Sequence, residues 1–211
     1  MLPPPRRPAI TLSDASQSVV LRSALGSACE TFVKKPWSFD DSNSPFFCTD
    51  VIVGWQYVFT SPELFYVIVD ALKYCRKNKG LRLHGYVIMP NHVHTIISAT
   101  RCNLASVIRD YKRHTAGKII DLLGESGSAR SLSYFRAAAR MDEKGNGHKV
   151  WTSGSHPILI ETERFFEQKL EYIHNNPVTK GYVEKPEDWK FSSARNYILG
   201  DNSIIQIDYL E

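Results

Sequence analysis

The sequence predicts a mixed α+β domain with an antiparallel sheet, and three observations carry that reading. The elements follow one another as strand, helix, strand, strand, helix, strand, helix. Two of the strands, "LRLHGYVIM" and "HVHTIIS", are joined only by Pro90 and Asn91, and so tight a connection makes them antiparallel neighbours. In the second of these, side chains alternate between faces, so His92, His94 and Ile96 share one face and Val93, Thr95 and Ile97 the other.

Each element has its own signal. The opening "MLPPPRRPAI" is proline-rich and reads as an extended arm carrying Arg6 and Arg7. Leu12 to Lys35 has the makings of a helix, with Ser13 or Asp14 as N-cap. The turn-forming "KPWSFDDSNSP" then separates an arm of residues 1–45 from the core domain, 46–197. "FFCTDVIVGW", Phe46 to Trp55, is β-branched and aromatic, a strand. "SPELFYVIVDALKYCRKNKG" is a helix with Ser61 as N-cap, Pro62 at the first position and Gly80 as terminator. Glu63 sits in its first turn, where a negative charge complements the helix dipole.

After the paired strands comes a second helix, Leu104 to Leu123, ending at Gly124. Val107, Tyr111, Ile119 and Leu122 lie near one stripe of it, and Arg109, Lys112 and Arg113 face elsewhere. Residues 124–151 read as an irregular insertion. "HPILI" is a short final strand, and "ERFFEQKLEYIHNN" a helix stopped by Pro177. "EKPEDWKFSSARNY" is loop and turn material with aromatic anchors, and residues 198–211 form a C-terminal tail.

At 211 residues the chain suits one core domain with decorations. Its net charge of +4 permits a nucleic-acid partner without demanding one. The distribution says more: between Arg101 and Lys118 five basic residues face Asp110 alone. That helix is either a phosphate-contacting surface, through Arg109, Lys112 and Arg113, or a solvated face. Cys29, Cys48, Cys75 and Cys102 are scattered without zinc-ligand spacing. No secretory leader opens the chain, and no apolar run reaches the roughly 18 residues of a membrane span. A reduced, cytoplasmic setting is expected.

Two histidines on one strand face are able to ligate a divalent cation, or else serve as structural histidines with satisfied partners. Tyr172 and Asn176, four apart, share a helix face. Asn176 offers a carbonyl oxygen as a third ligand and Tyr172 a phenol as nucleophile. A phenol, with a pKa of about 10, needs assistance to attack at neutral pH. The plainer alternative puts Tyr172 in the core and makes Asn176 a helix cap.

"YVIMPNHVHTII" resembles the HUH motif of single-tyrosine transposases, two histidines flanking a hydrophobic residue. "KLEYIHNNPVTKGYV" followed by "PEDWKFSSARNY" resembles the distal motifs of the REP-associated tyrosine transposase group. "VFTSPELFYVIVDALKYCRKNKGLRLHGYVIM" looks like that family's first helix and second strand, so the likeness spans Phe46 to Tyr197 with its motifs in order.

The resemblance implies a ferredoxin-like HUH nuclease fold, a central antiparallel sheet with helices packed on one face. It implies that His92 and His94 hold a divalent metal, Mg²⁺ or Mn²⁺. Tyr172 matches the nucleophile that forms a 5′-phosphotyrosine and leaves a free 3′-hydroxyl. Asn176 stands where the insertion-sequence branch carries a glutamine as third ligand, one methylene longer. The implied partner is single-stranded DNA, with a hairpin, and related enzymes act as monomers or as homodimers. The implied activity is cleavage and rejoining of that DNA by transesterification, consistent with the lack of a GxxxxGK[ST] loop.

Three alternatives stay open at this level. Tyr111, beside Lys112 and Arg113, is a rival nucleophile, although its place on the apolar stripe would raise its pKa. A domesticated descendant would bind hairpin DNA without cutting it. A hydrolytic metalloprotein would use metal-bound water and form no protein–DNA adduct.

Overall fold

The computed structural model describes residues 44–100, 104–141, 147–154 and 157–210, all within the compact unit Trp37–Glu211. The expected arm, with its helix over Leu12 to Lys35 and its Arg6 and Arg7, lies outside them, as do Cys29, Arg101 and Cys102. The elements in chain order are β1 (Phe46–Val51), α1 (Pro62–Lys79), β2 (Leu81–Met89), β3 (His92–Ala99), α2 (Leu104–Glu125), α3 (Ala129–Arg140), β4 (Ile158–Leu159), α4 (Glu163–Thr179) and α5 (Ala194–Leu199). The strands form one antiparallel sheet in the order β2-β3-β1-β4. This is the expected ferredoxin-like arrangement, with β1 and β3 at the centre.

The alternation expected along β3 divides the molecule. Val93 and Ile97 join a large core with Val67, Ile68 and Leu72 of α1 and Val107, Tyr111 and Ile119 of α2. Ile96 faces the other way, into a smaller core with Phe47, Val87, Met89, Phe166 and Ile173. The expectation of helices on one face therefore holds for α1 and α2, while α4 covers the opposite face. The two histidines of β3 belong to the α4 side.

β2 keeps its apolar residues correctly directed only because of a bulge. Leu83 pairs with Ile97 and Gly85 with Ile96, which leaves His84 as the extra residue. The insertion reverses the alternation, so that Leu81, Leu83, Tyr86 and Ile88 all reach the large core. Gly85 then faces α4, and a Cβ there would lie 2.8 Å from Leu170 Cδ1. Any side chain at 85 would force Leu170 to shift. The extra residue is itself anchored, with His84 Nδ1 2.7 Å from the Asp208 carbonyl oxygen and Nε2 2.9 Å from Ser98 Oγ.

Several boundaries differ from the sequence expectations, each for a local reason. The first strand stops at Val51, and Val53–Trp55 forms a 3₁₀ turn. α1 spans Pro62–Lys79 and ends at Gly80 in the left-handed region, φ 67°, as expected; Ser61 stands at the N-cap position, but its side chain makes no capping hydrogen bond. α2 runs through Gly124 and ends where Gly127 takes φ 69°. The stretch expected to be irregular contains α3, which inserts Phe135 and Ala139, one turn apart, as its buried face.

Pro177 does not stop α4. The helix continues to Thr179, and Gly181, with φ 72°, provides the reversal. The expected loop after Pro186 includes α5. Its neighbour Phe191 stacks on Phe65 with ring centroids 4.2 Å apart. The last residues, set apart in the sequence as a tail, lie against β2: Ile205 and Ile207 are buried, and Asp208 accepts from Arg76 and from the Leu83 N–H. Among the described residues no helix is long and apolar enough to cross a membrane.

Candidate functional site

β1, β3 and α4 build one side-chain cluster on the smaller-core face. His94 lies opposite Thr49 in the β1–β3 ladder, and Val51 lies opposite His92. The two imidazoles are neighbours, with ring centroids 4.7 Å apart. Phe47 stacks against His94 at 5.4 Å, and Tyr172 of α4 meets His94 edge-on at 5.2 Å. The sequence-predicted histidines and tyrosine are thus brought together.

A hydrogen bond engages Nδ1 of each ring. His92 Nδ1 lies 2.7 Å from Asn91 Oδ1, an oxygen that only accepts, so Nδ1 carries the proton. Asn91 Nδ2 donates to the Trp55 carbonyl oxygen at 3.5 Å, which agrees with that amide orientation. His94 Nδ1 lies 2.9 Å from Thr49 Oγ1, a hydroxyl able to donate or accept; with the ring as donor, His94 has the same tautomer. Nε2 of each ring then keeps its lone pair, the arrangement that a metal-ligating histidine requires. Burial, with Lys180 nearby, pulls the His92 pKa down to about 4, against a weaker opposing contact with the Asn176 amide. Burial, His92 and Lys169 hold His94 well below the ordinary imidazole value. Both rings are neutral at pH 7.

Asn176 lies one turn beyond Tyr172 on α4 and is buried. Its Oδ1 is buried without a hydrogen bond of ordinary geometry, although its amide is close enough to His92 to raise that ring's basicity. Leaving a buried carbonyl oxygen unmatched is costly. The alternative made Asn176 a helix cap; its Oδ1 makes no capping bond, and the Lys180 N–H bonds instead to the Asn176 backbone oxygen. Two imidazole nitrogens and one unmatched amide oxygen fit a divalent cation that completes its shell with water or phosphate oxygens. Among the described residues no group of three or more His, Cys, Asp or Glu side chains gathers.

Tyr172 is 49% exposed, so its ring borders the histidines without entering the core. Lys169, one turn earlier, holds its ammonium 4.8 Å from the Phe47 centroid, 5.2 Å from Phe165 and 5.9 Å from Tyr172. Burial lowers its pKa from the ordinary lysine value. The sequence reading missed Lys169, Thr49 and Asn91. Lys169 was within reach of it, since a cation three residues before Tyr172 shares its helix face. Thr49 is identified only by strand register.

The basic helix does not join this cluster, because α2 packs on the opposite face. Arg109 and Arg113 are exposed and flank Asp110 at 3.9 and 3.1 Å. Lys112 departs from the expected trio. It turns inward to Asp50, 3.1 Å away, and its side chain is largely buried with that of its partner. Tyr111 is buried in the large core, and burial pushes its pKa well above the ordinary phenol value. Its hydroxyl has no hydrogen-bond partner among the described residues and no route to the histidine face.

No family model matches the chain. A Haemophilus influenzae protein of uncharacterised function is 28% identical over 109 residues, which is 46% of this chain and 55% of the relative's length. Among solved structures, a REP-associated tyrosine transposase bound to a REP hairpin aligns with a TM-score of 0.50 at 18% identity, over 80% of this chain and 86% of that one. A candidate transposase from Deinococcus radiodurans R1 aligns with a TM-score of 0.37 at 18% identity, over 62% of this chain and 88% of that one, and nothing further rests on it. The chain has the fold of an HUH-type tyrosine transposase.

Proposed function

We propose that the protein cleaves and rejoins single-stranded DNA, with Tyr172 as nucleophile and a divalent cation, Mg²⁺ or Mn²⁺, held by His92, His94 and Asn176. The observation that carries this reading is the orphaned Asn176 Oδ1 beside two neutral, oriented imidazoles, with an accessible phenol against one of them. The solved transposase with the same fold is bound to a REP hairpin, which supports hairpin-bearing DNA as the substrate here.

When bound, the cation polarises the scissile phosphodiester and stabilises charge on its oxygens. The Tyr172 oxygen attacks phosphorus and gives its proton to solvent, forming a 5′-phosphotyrosine. The bond from phosphorus to the 3′ oxygen breaks, and that oxygen takes up a proton to leave as a 3′-hydroxyl. Rejoining reverses the step: an incoming 3′-hydroxyl attacks the phosphotyrosine and the phenol recovers its proton. Bond energy is conserved in the phosphotyrosine, so no nucleotide cofactor is required. Lys169, held over the Tyr172 ring, contributes a positive charge where negative charge develops.

A hairpin-bearing oligonucleotide and Mn²⁺ test the reading on a denaturing gel. A covalent protein–DNA species is expected. It disappears with chelator and in Tyr172→Phe, while that variant keeps its hairpin affinity. Hairpin binding with no adduct would support a binding-only protein, and a free 5′-phosphate without adduct would support attack by water.

A further inference from the structure

The turn between β1 and α1 holds a feature that the cleavage chemistry does not use. Among the described residues Trp55 is the only one other than glycine with a positive φ, at 54°. A bulky side chain adopts that conformation only where its surroundings impose it, and such strain gathers at ligand sites. The residue stays largely in solvent, 59% exposed. It stands edge-on to His92, with centroids 5.7 Å apart.

The turn is fixed from several sides. The Ile52 N–H donates to the Asn91 carbonyl oxygen at 2.9 Å, and the Val53 N–H to that of Val150 at 2.8 Å. Gly54 packs so closely on Tyr134 of α3 that a Cβ there would lie 1.9 Å from its hydroxyl oxygen. The fold therefore holds an indole rigidly in solvent at the edge of the histidine pair. Two cations flank that pair, Lys180 acting on His92 and Lys169 on His94. An exposed aromatic face beside positive charge is the composition that holds single strands, where bases stack and phosphates pair.

We propose that Trp55 is a stacking platform for a nucleobase adjoining the phosphate at His92 and His94. The inference rests on the DNA-cleaving reading for its substrate, single-stranded DNA. Stacking on Trp55 would fix the strand's position relative to Tyr172, leaving the chemistry to other residues.

The test measures binding of the full chain to a fluorescent oligothymidylate, in chelator, against an abasic oligomer of equal length. Trp55→Ala is expected to weaken oligothymidylate binding about 5- to 150-fold, the range that one stacked base supplies. It should leave abasic binding unchanged, and Trp55→Phe should restore most of the affinity. Trp55→Gly suits the positive φ, so it should melt no lower than the native chain and still bind weakly. Tyr74→Ala, an exposed aromatic on α1, should change nothing. Equal losses on both oligomers, or none on either, would overturn the proposal. Adduct formation separates the two readings. An adduct with binding insensitive to Trp55 overturns the stacking role alone. Base-dependent loss in a chain that never forms adduct supports the stacking role and overturns cleavage.

Discussion

At the scale of single residues, the site depends on the partners of its two imidazoles. Thr49 and Asn91 hold Nδ1 of the two imidazoles, and without them either ring is able to turn or exchange tautomers. Replacing such a partner lowers metal affinity by about 10- to 100-fold in comparable centres. Thr49→Val and Asn91→Ala are therefore expected to weaken Mn²⁺ binding by that order, measured by titration calorimetry, while melting temperatures move little. Affinity equal to the native chain's in both variants would mean that the rings are not held for a metal. Asn176→Ala removes a buried oxygen that has no hydrogen bond of ordinary geometry, so it should lower metal affinity.

At the scale of elements, one helix carries two kinds of lysine and arginine. α2 directs Arg109 and Arg113 to solvent and Lys112 into the core against Asp50. Breaking a buried pair leaves an uncompensated charge, at about 3–5 kcal/mol. Lys112→Met should accordingly lower the urea midpoint strongly. Neutralising Arg109 and Arg113 should leave stability almost unchanged. If those arginines contact single-stranded DNA, each removed contact flattens log affinity against log salt by about 0.7. A stable Lys112→Met chain would show that the Asp50 pair is dispensable.

The sequence made part of this level legible. Ser61, Pro62 and Gly80 bracket α1 because caps are local, and period two placed His92 and His94 on one face because alternation is local. Lys112 was misassigned because its partner lies on β1, and nothing in a helix's own sequence reveals a charge brought to it by the sheet. Pro177 misled for a related reason: the hydrogen bond that its missing N–H denies to the Ile173 carbonyl is offset by tertiary packing, since Ile173, Asn176 and Pro177 are all buried. Gly85, inside a strand pattern, was a readable sign of the bulge at His84. α3 was hidden by its glycine- and serine-rich flanks, and only the burial of Phe135 explains it.

For the whole molecule, the response to acid follows from four histidines buried among the described residues. Burial lowers the pKa of His84, His92, His94 and His174, to about 4 for His92 and His174. An unfolded chain takes up protons on such rings below about pH 6.5. The folded chain resists until the lower values are reached, so the unfolded state binds more protons throughout that window. Stability of the metal-free protein should be flat near neutrality and fall as pH drops from about 6.5 toward 4. Urea midpoints measured across that range check this, and His84→Gln should reduce the slope. A midpoint independent of pH would mean that the rings are far more hydrated than their burial indicates.

The same whole-molecule geometry separates Tyr172 from Tyr111 by the full thickness of the sheet, one on the histidine face and the other in the large core. Mass spectrometry of the protein trapped with cleaved DNA, after proteolysis and nuclease trimming, reads that difference directly. The account predicts a residual nucleotide on the peptide holding "YIHNNP", attached at Tyr172 through its 5′ phosphate. A nucleotide on the peptide holding "DYKRH", or cleavage products accumulating with no modified peptide, would contradict it.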